Sequence, residues 1–298
     1  MTGAGGLVGG RLAQILSRDF AVVAARHRAP TPPGLDPVDL DLRSPTSLDA
    51  ALDRARPHAI LHAAALADAD GCEQNPAEAE ALNVQAGADL ARRCQLLGIR
   101  LVGLSTDLVF AGARSFYREA DPPEPVMVYG RTKHRGEQAI LAEAPESALL
   151  RVSLIAGGGF GPRPTASEAV AWALRAGRPL RLFTDQYRTP VDPESVAAAA
   201  AAVLVGNGQG LYHLGGPERM SRHDLGLRVA LVLGLAEGTI APVTRSAMPL
   251  AAPRPPDASL DSGRAIRELA WVPRPVDDAI RGSRPAPGKT PRRRSRRI

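Results

Sequence analysis

Met1-Thr2-Gly3-Ala4-Gly5-Gly6-Leu7-Val8-Gly9-Gly10 opens the chain and places three glycines at a three-residue spacing, Gly3-x-x-Gly6-x-x-Gly9. An amphipathic helix follows at once, with Leu12, Ile15 and Leu16 on one stripe. A strand comes next, Phe20 to Ala25. Glycines at this spacing let the backbone turn tightly and let its N–H groups approach a pyrophosphate. The helix start supplies partial positive charge for the phosphates. The reading is a dinucleotide site built from Gly3, Gly6, Leu7 and Val8. Such a turn normally follows a central strand, yet only Met1 and Thr2 precede it. The expectation is an absent first strand and an unfilled gap between its neighbours.

Working outward, strands and helices alternate. Val38 to Leu42 reads as a strand, with Asp41 at its polar end beside an adenine and Leu42 next to it. Ser44-Pro45 opens a helix to about Arg54. Ala59 to Ala65 is a strand ending in Ala63-Ala64-Ala65, small enough for a cofactor to lie against the backbone. His62 there reads as a satisfied structural histidine. Asn75-Pro76 begins one long helical segment to about Leu97, with Asn83 as a buried polar residue. Arg100 to Leu104 and Leu149 to Ile155 are further strands. This alternation implies a doubly wound parallel α/β sheet with helices on both faces. After the second strand come Arg26, His27 and Arg28, with no acid before Asp36. An acid here would bind a ribose 2′-hydroxyl, whereas Arg26 suits a 2′-phosphate, so NADP(H) is preferred and NAD(H) stays open.

The chemistry sits in Ser105 to Lys133, where Ser105-Thr106-Asp107 ends an apolar run and Tyr129-Gly130-Arg131-Thr132-Lys133 starts a helix. Tyr129 and Lys133 share a helix face one turn apart. An ammonium there is expected to lower the phenol's pKa, and a strand-end hydroxyl to bind the same substrate oxygen. Of 37 basic residues only Lys133 and Lys289 are lysines. A body that otherwise uses arginine points to a tunable point charge at Lys133.

The chain has 298 residues and 44% hydrophobic residues, but only 4% aromatic ones, so aliphatic packing dominates. Its net charge of +6 is carried by Lys289, Arg292, Arg293, Arg294, Arg296 and Arg297. The basic pI is therefore no sign of a nucleic-acid-binding fold. Two cysteines, Cys72 and Cys94, define neither a disulfide framework nor a metal site. No membrane-spanning run or signal peptide is evident, and a cytoplasmic location fits. The domain reading is residues 1–156 for the dinucleotide, 157–283 for a smaller substrate lobe interleaved with the sheet, and 284–298 as a basic, disordered tail.

These motifs, with Asn83-Val84, Val109-Phe110, Asp185-Gln186, Thr189-Pro190, Tyr212-His213-Leu214 and Arg254-Pro255, resemble the extended short-chain dehydrogenases/reductases. The dTDP-4-dehydrorhamnose reductase group resembles the chain most. The resemblance implies a Rossmann-type sheet with a smaller C-terminal lobe. It implies Tyr129 as acid/base, Lys133 on the nicotinamide ribose and Thr106 on the substrate oxygen, with Ser105 also at the substrate and Arg254 on nucleotide-sugar phosphates. A hydride would reduce a 4-keto-6-deoxy nucleotide sugar. Ser153-Leu154-Ile155 replaces an aromatic motif, Leu108 another aromatic, and Tyr187-Arg188 smaller residues. Alternatives on this scaffold are a nucleotide-sugar epimerase or dehydratase, and a non-catalytic NADP-binding regulatory subunit resembling the methionine adenosyltransferase β subunit. A homodimer is compatible with the group.

Overall fold

The computed structural model describes residues 1–286 except Gly238 and Pro249. The basic run from 287 onward, with Lys289, lies outside the described residues. In chain order the elements are α1 (Leu7–Leu16), β1 (Val23–Arg26), β2 (Asp36–Asp39), α2 (Pro45–Ala55), β3 (Ala59–His62), α3 (Ala69–Gln74), α4 (Pro76–Glu80), α5 (Ala86–Leu97), β4 (Arg100–Thr106), α6 (Val128–Glu143) and β5 (Ala148–Val152). There follow α7 (Ala166–Arg175), β6 (Leu180–Phe183), β7 (Tyr187–Arg188), α8 (Pro193–Val205), β8 (Gly210–Leu214), β9 (Met220–Ser221), α9 (Arg222–Leu233), β10 (Ile240–Val243), α10 (Gly263–Glu268) and α11 (Val276–Arg281).

The main sheet is parallel, in the order β3-β4-β5-β8. Strand β5 is buried along its whole length, as a strand covered on both faces must be. Strands β1 and β2 pair in parallel as a separate piece on the β3 side of this sheet. Between these two pieces stand only Met1 and Thr2. The Thr2 amide donates to Leu61 O at 3.0 Å, and the Ala25 amide donates to Met1 O at 2.8 Å. Below this two-residue stub lies a cavity of about 530 Å³, lined by Phe20, Val22, Leu40, Leu52, Ile60 and Leu90 among others. The Met1 ammonium reaches Val23 O at 2.7 Å, and burial lowers its pKa to about 6.

Helix α2 starts where read, with Ser44 accepting from the Ser47 amide and Pro45 in the first turn. Three expectations need correction. Strand β2 runs from Asp36 to Asp39, where a strand from Val38 to Leu42 was expected, because the chain turns at Asp41, whose carboxylate accepts from the Arg43 amide at 3.0 Å. Leu40 and Leu42 still point into the core. The expected single helix over 75–97 is α4, a π turn over Ala81–Gln85, and α5. The π turn aims Asn83 inward, away from a regular helical register. Arg284, read as part of a free tail, is anchored: its guanidinium donates to Glu168 Oε1 at 2.7 Å and Oε2 at 2.9 Å, and Glu168 is fully buried.

Strand β8, from the second half of the chain, completes the main sheet beside β5. The rest of that half forms a lobe on α7, α9 and α11, packed around Val170, Leu225, Val229 and Ile280. Strand β10, absent from the sequence reading, pairs with β6. Its Ala-Pro segment is a poor strand signal, and the pairing is non-local. Among the described residues no helix is long and apolar enough to cross a membrane. Cys72 and Cys94 are buried free thiols, pushed up to about 11 and about 12 by burial.

Candidate active site

The site lies at the carboxyl ends of the parallel strands, the edge where open α/β sheets bind ligands. Gly3 has φ +68°, and a Cβ on it would sit 2.6 Å from Ala64 N, so only glycine lets the turn rest on the end of β3. Thr2 Oγ1 braces the contact, bonding His62 Nδ1 at 2.8 Å and accepting from the Ala64 amide at 3.3 Å. His62 is buried, and burial followed by the nearby Lys133 charge lowers its pKa to about 3, so it is neutral. Helix α1 has Gly6 as its cap, no side-chain capping bond and no acid in its first turn. Its first amides, at Leu7 and Val8, therefore suit a phosphate. Ala63, Ala64 and Ala65 continue the same edge, half-buried.

Arg26 ends β1 and pairs with Asp39 at 2.8 Å on the surface. Asp41 is held by Arg43 at 2.9 Å, and that pairing lowers its carboxyl to about 2. Arg26 is the last residue of β1, and Asp41 lies just past the neighbouring β2, whose following Leu40 amide donates to Arg26 O at 2.7 Å. The Leu42 side chain is instead part of the core, so only its backbone can face a cofactor.

At the other end of the site, β4 delivers Ser105, Thr106 and Asp107 to the first turns of α6. Gly130 makes this approach feasible, because a Cβ there would lie within 2.2 Å of Leu108 O. Asn83 ties the same helix to the loop after β3, donating to Thr132 Oγ1 at 3.0 Å and to Leu66 O at 3.1 Å. The Val128 amide donates to Glu73 at 2.7 Å, which caps the helix start. Thr106 Oγ1 donates to Asp107 Oδ1 at 3.2 Å. Asp107 also accepts from Ser153 Oγ at 3.1 Å and pairs with Arg188 at 3.4 Å. Burial pushes its carboxyl up, and the Arg188 charge partly offsets this.

The expected effect of Lys133 on Tyr129 does not appear. Burial raises the half-buried Tyr129 phenol well above its ordinary value, with the nearby Thr106 hydroxyl acting the other way. The Lys133 ammonium is turned into the sheet, donating to Leu104 O at 2.8 Å. Burial lowers its own pKa to about 8, and Glu137 partly restores it.

Ser105, expected at the substrate, donates to Glu137 at 2.5 Å. Glu137 is the centre of a buried network that the sequence reading missed. Arg151 on β5 grips it with two bonds, 2.9 and 2.7 Å, and His134 lies at 3.3 Å. Burial would raise the Glu137 carboxyl, but the Arg151 fork and the other donors hold it at about 2. Arg151 in turn reaches His213 Nε2 at 3.3 Å, while His213 Nδ1 faces Tyr117 O at 2.9 Å. His213 is thus neutral, lowered to about 4 chiefly by burial. The available signal was spacing: Glu137 follows Lys133 by one more helical turn.

Arg254, expected on phosphates, donates to Asp70 at 3.0 Å and lies 4.0 Å from Met127 Sδ, just before α6. It is at the site, but its charge is already met by Asp70. Among the described residues no group of side chains forms a metal site.

Residues 1–283 match the family model described as RmlD substrate binding domain. The chain is 30% identical over 288 residues to a probable low-salt glycan biosynthesis reductase, Agl14, of Haloferax volcanii, spanning 94% of this chain and 95% of the relative. It is 32% identical over 272 residues to a dTDP-4-dehydrorhamnose reductase of Streptomyces griseus, covering 89% of this chain and 85% of that one. A crystal structure of a hypothetical dTDP-4-dehydrorhamnose reductase from Sulfolobus tokodaii superposes with a TM-score of 0.81 at 30% identity, covering 95% and 98% of the two chains. The chain belongs to the RmlD substrate binding domain family, NAD(P)-dependent oxidoreductases of the extended short-chain dehydrogenase/reductase type.

Proposed function

We propose that the protein reduces the 4-keto group of a 6-deoxy nucleotide sugar with NADPH, NADH being the weaker donor, in the manner of a dTDP-4-dehydrorhamnose reductase. The observation that carries this reading is the meeting of Thr106 at the end of β4 with Tyr129 and Lys133 in the first turns of α6, on the same sheet edge as the Gly3 turn. The uncapped start of α1, the glycine that rests on Ala64 and the Arg26 side chain fit a dinucleotide with a 2′-phosphate. When bound, the nicotinamide supplies a hydride.

The protein's own residues hold and protonate. Thr106 orients the carbonyl oxygen. Tyr129, kept protonated by burial, gives its proton to the alkoxide as charge develops there. A high resting pKa suits the reducing direction, since the phenol must be an acid at the moment of reaction. Lys133 stabilises the resulting phenolate and takes the nicotinamide ribose, after turning from Leu104 O. Residues 1–156 serve the dinucleotide and 157–283 the sugar, with β8 joining the two. A cytoplasmic location and a homodimer accompany this reading.

Incubation with NADPH and dTDP-4-keto-6-deoxy sugars tests it, followed by absorbance at 340 nm and by product analysis. The expected result is stoichiometric loss of NADPH with a new 6-deoxy sugar. A new isomer without net loss of NADPH would assign an epimerase. Tight NADPH binding without any turnover would assign a regulatory subunit.

A further inference from the structure

Strands β7 and β9 form a short antiparallel ribbon, with Tyr187 opposite Ser221 and Arg188 opposite Met220. The pairing extends one step, because the Arg222 amide donates to Gln186 O at 3.0 Å. Arg188 and Arg222 are therefore diagonal neighbours on one face of the ribbon, within reach of each other's long side chains. That face looks onto the end of β4. Arg188 is buried and pairs with Asp107 at 3.4 Å, next in sequence to Thr106.

Arg222 is different. Among the described residues its guanidinium has neither a hydrogen-bond acceptor nor an ion-pair partner. Burial, then the charge of Arg188, lowers its pKa to about 10, while Asp107 acts the other way. Asp257, the other carboxylate near Arg188, is taken by Arg219 at 2.7 Å. Two cations thus share one anion beside Thr106. The Arg222 side chain is partly exposed, so water solvates its guanidinium in place of a protein partner. A charge kept unmatched at a substrate edge is one that the ligand matches.

We propose that Arg222, backed by Arg188, binds an oxyanion of the substrate, a phosphoryl or carboxylate group held beside Thr106. Both sources share planar or tetrahedral oxygen pairs that suit a guanidinium fork. The inference rests on the nucleotide-sugar reading only in calling the anion part of the substrate.

Thermal unfolding of the NADPH-loaded protein tests it without any need for turnover. Inorganic pyrophosphate, glucuronate and chloride are compared at equal ionic strength, for wild type and for Arg222→Met. At about ten times its Kd, a bound anion raises the wild-type Tm by roughly 3 °C. A pyrophosphate shift lost in Arg222→Met identifies the phosphoryl group, and a lost glucuronate shift identifies a sugar carboxylate. Either result supports the proposal. No anion-specific shift in wild type, or one that survives in Arg222→Met, overturns the proposal. Arg222→Gln serves if the methionine variant does not fold. Failure of the reductase reading would show as absent turnover and would leave these shifts in place.

Discussion

Glu137→Gln is the most informative single change. It keeps the side-chain volume but removes the carboxylate that Arg151 grips at 2.9 and 2.7 Å. Arg151 is 1% exposed, so it cannot turn to water. Breaking a buried pair from one side costs about 3–5 kcal/mol, because the remaining charge is left unmatched. For a chain of this size that is a fall in Tm of roughly 10 °C. The functional effect is separate. Glu137 supports the charged form of Lys133, whose pKa burial has already lowered to about 8. Without the carboxylate, and with the Arg151 charge unbalanced, Lys133 loses its proton at lower pH. The alkaline limb of the kcat profile therefore moves down by about one unit. Differential scanning calorimetry and a pH series for kcat read the two effects. Glu137→Asp should recover part of both. A lower Tm with an unmoved pH profile would show that the network only holds the fold. An unchanged Tm would show that the pair is not buried as described.

Further outcomes follow from the same geometry. Tyr129→Phe abolishes turnover while NADPH affinity, read by fluorescence titration, stays within about twofold, since the phenol's proton serves the alkoxide. Lys133→Met also loses turnover but gains stability at pH 7. A lowering from 10.5 to about 8 corresponds to about 3 kcal/mol against the folded state, less about 1 kcal/mol for the bond to Leu104 O. The sign is fixed by linkage. The unfolded chain binds the proton more tightly, so the wild-type penalty is full below pH 8 and fades towards pH 10.5. The variant's advantage in chemical denaturation should shrink over that window. Arg26→Ala raises the Kd for NADPH about tenfold and leaves that for NADH nearly unchanged. Joining about five apolar β-branched residues ahead of Met1, to pass between β1 and β3, raises Tm by roughly 5–10 °C by filling the cavity there.

The parallel sheet was legible because its strands are short apolar runs separated by capped helices, and Ser44-Pro45 or Gly98 mark helix ends with local chemistry. The segment 75–97 misled because a π turn has no signature in hydrophobic spacing; Asn83 marks it only by being polar in an apolar stretch. β10 stayed hidden because its pairing with β6 is set by tertiary contact. At the site, spacing put Tyr129 and Lys133 on one face of a helix and a pair of hydroxyls at a strand end, while the choice of Thr106 came from the family resemblance. The pKa of Tyr129 could not, because proximity on a helix says nothing of where an ammonium turns, and here it turns to Leu104 O. Ser105 and Glu137 show the same limit: a hydroxyl at a strand end could face substrate or sheet, and only the helix packed behind it decides. Arg254 was singled out by the family resemblance alone, and its pairing with Asp70, 184 positions away, has no local signature.

The central claim is proton delivery by Tyr129 to an oxygen whose carbon receives a nicotinamide hydride. Single-turnover reaction of the NADPH-loaded protein, with deuterium at the transferring C4 position, tests it on a dTDP-4-keto-6-deoxy sugar. The account predicts one deuterium at C4 of the product sugar in wild type and no labelled product in Tyr129→Phe. Product without deuterium at C4, or labelled product formed at an unchanged rate by Tyr129→Phe, would contradict it.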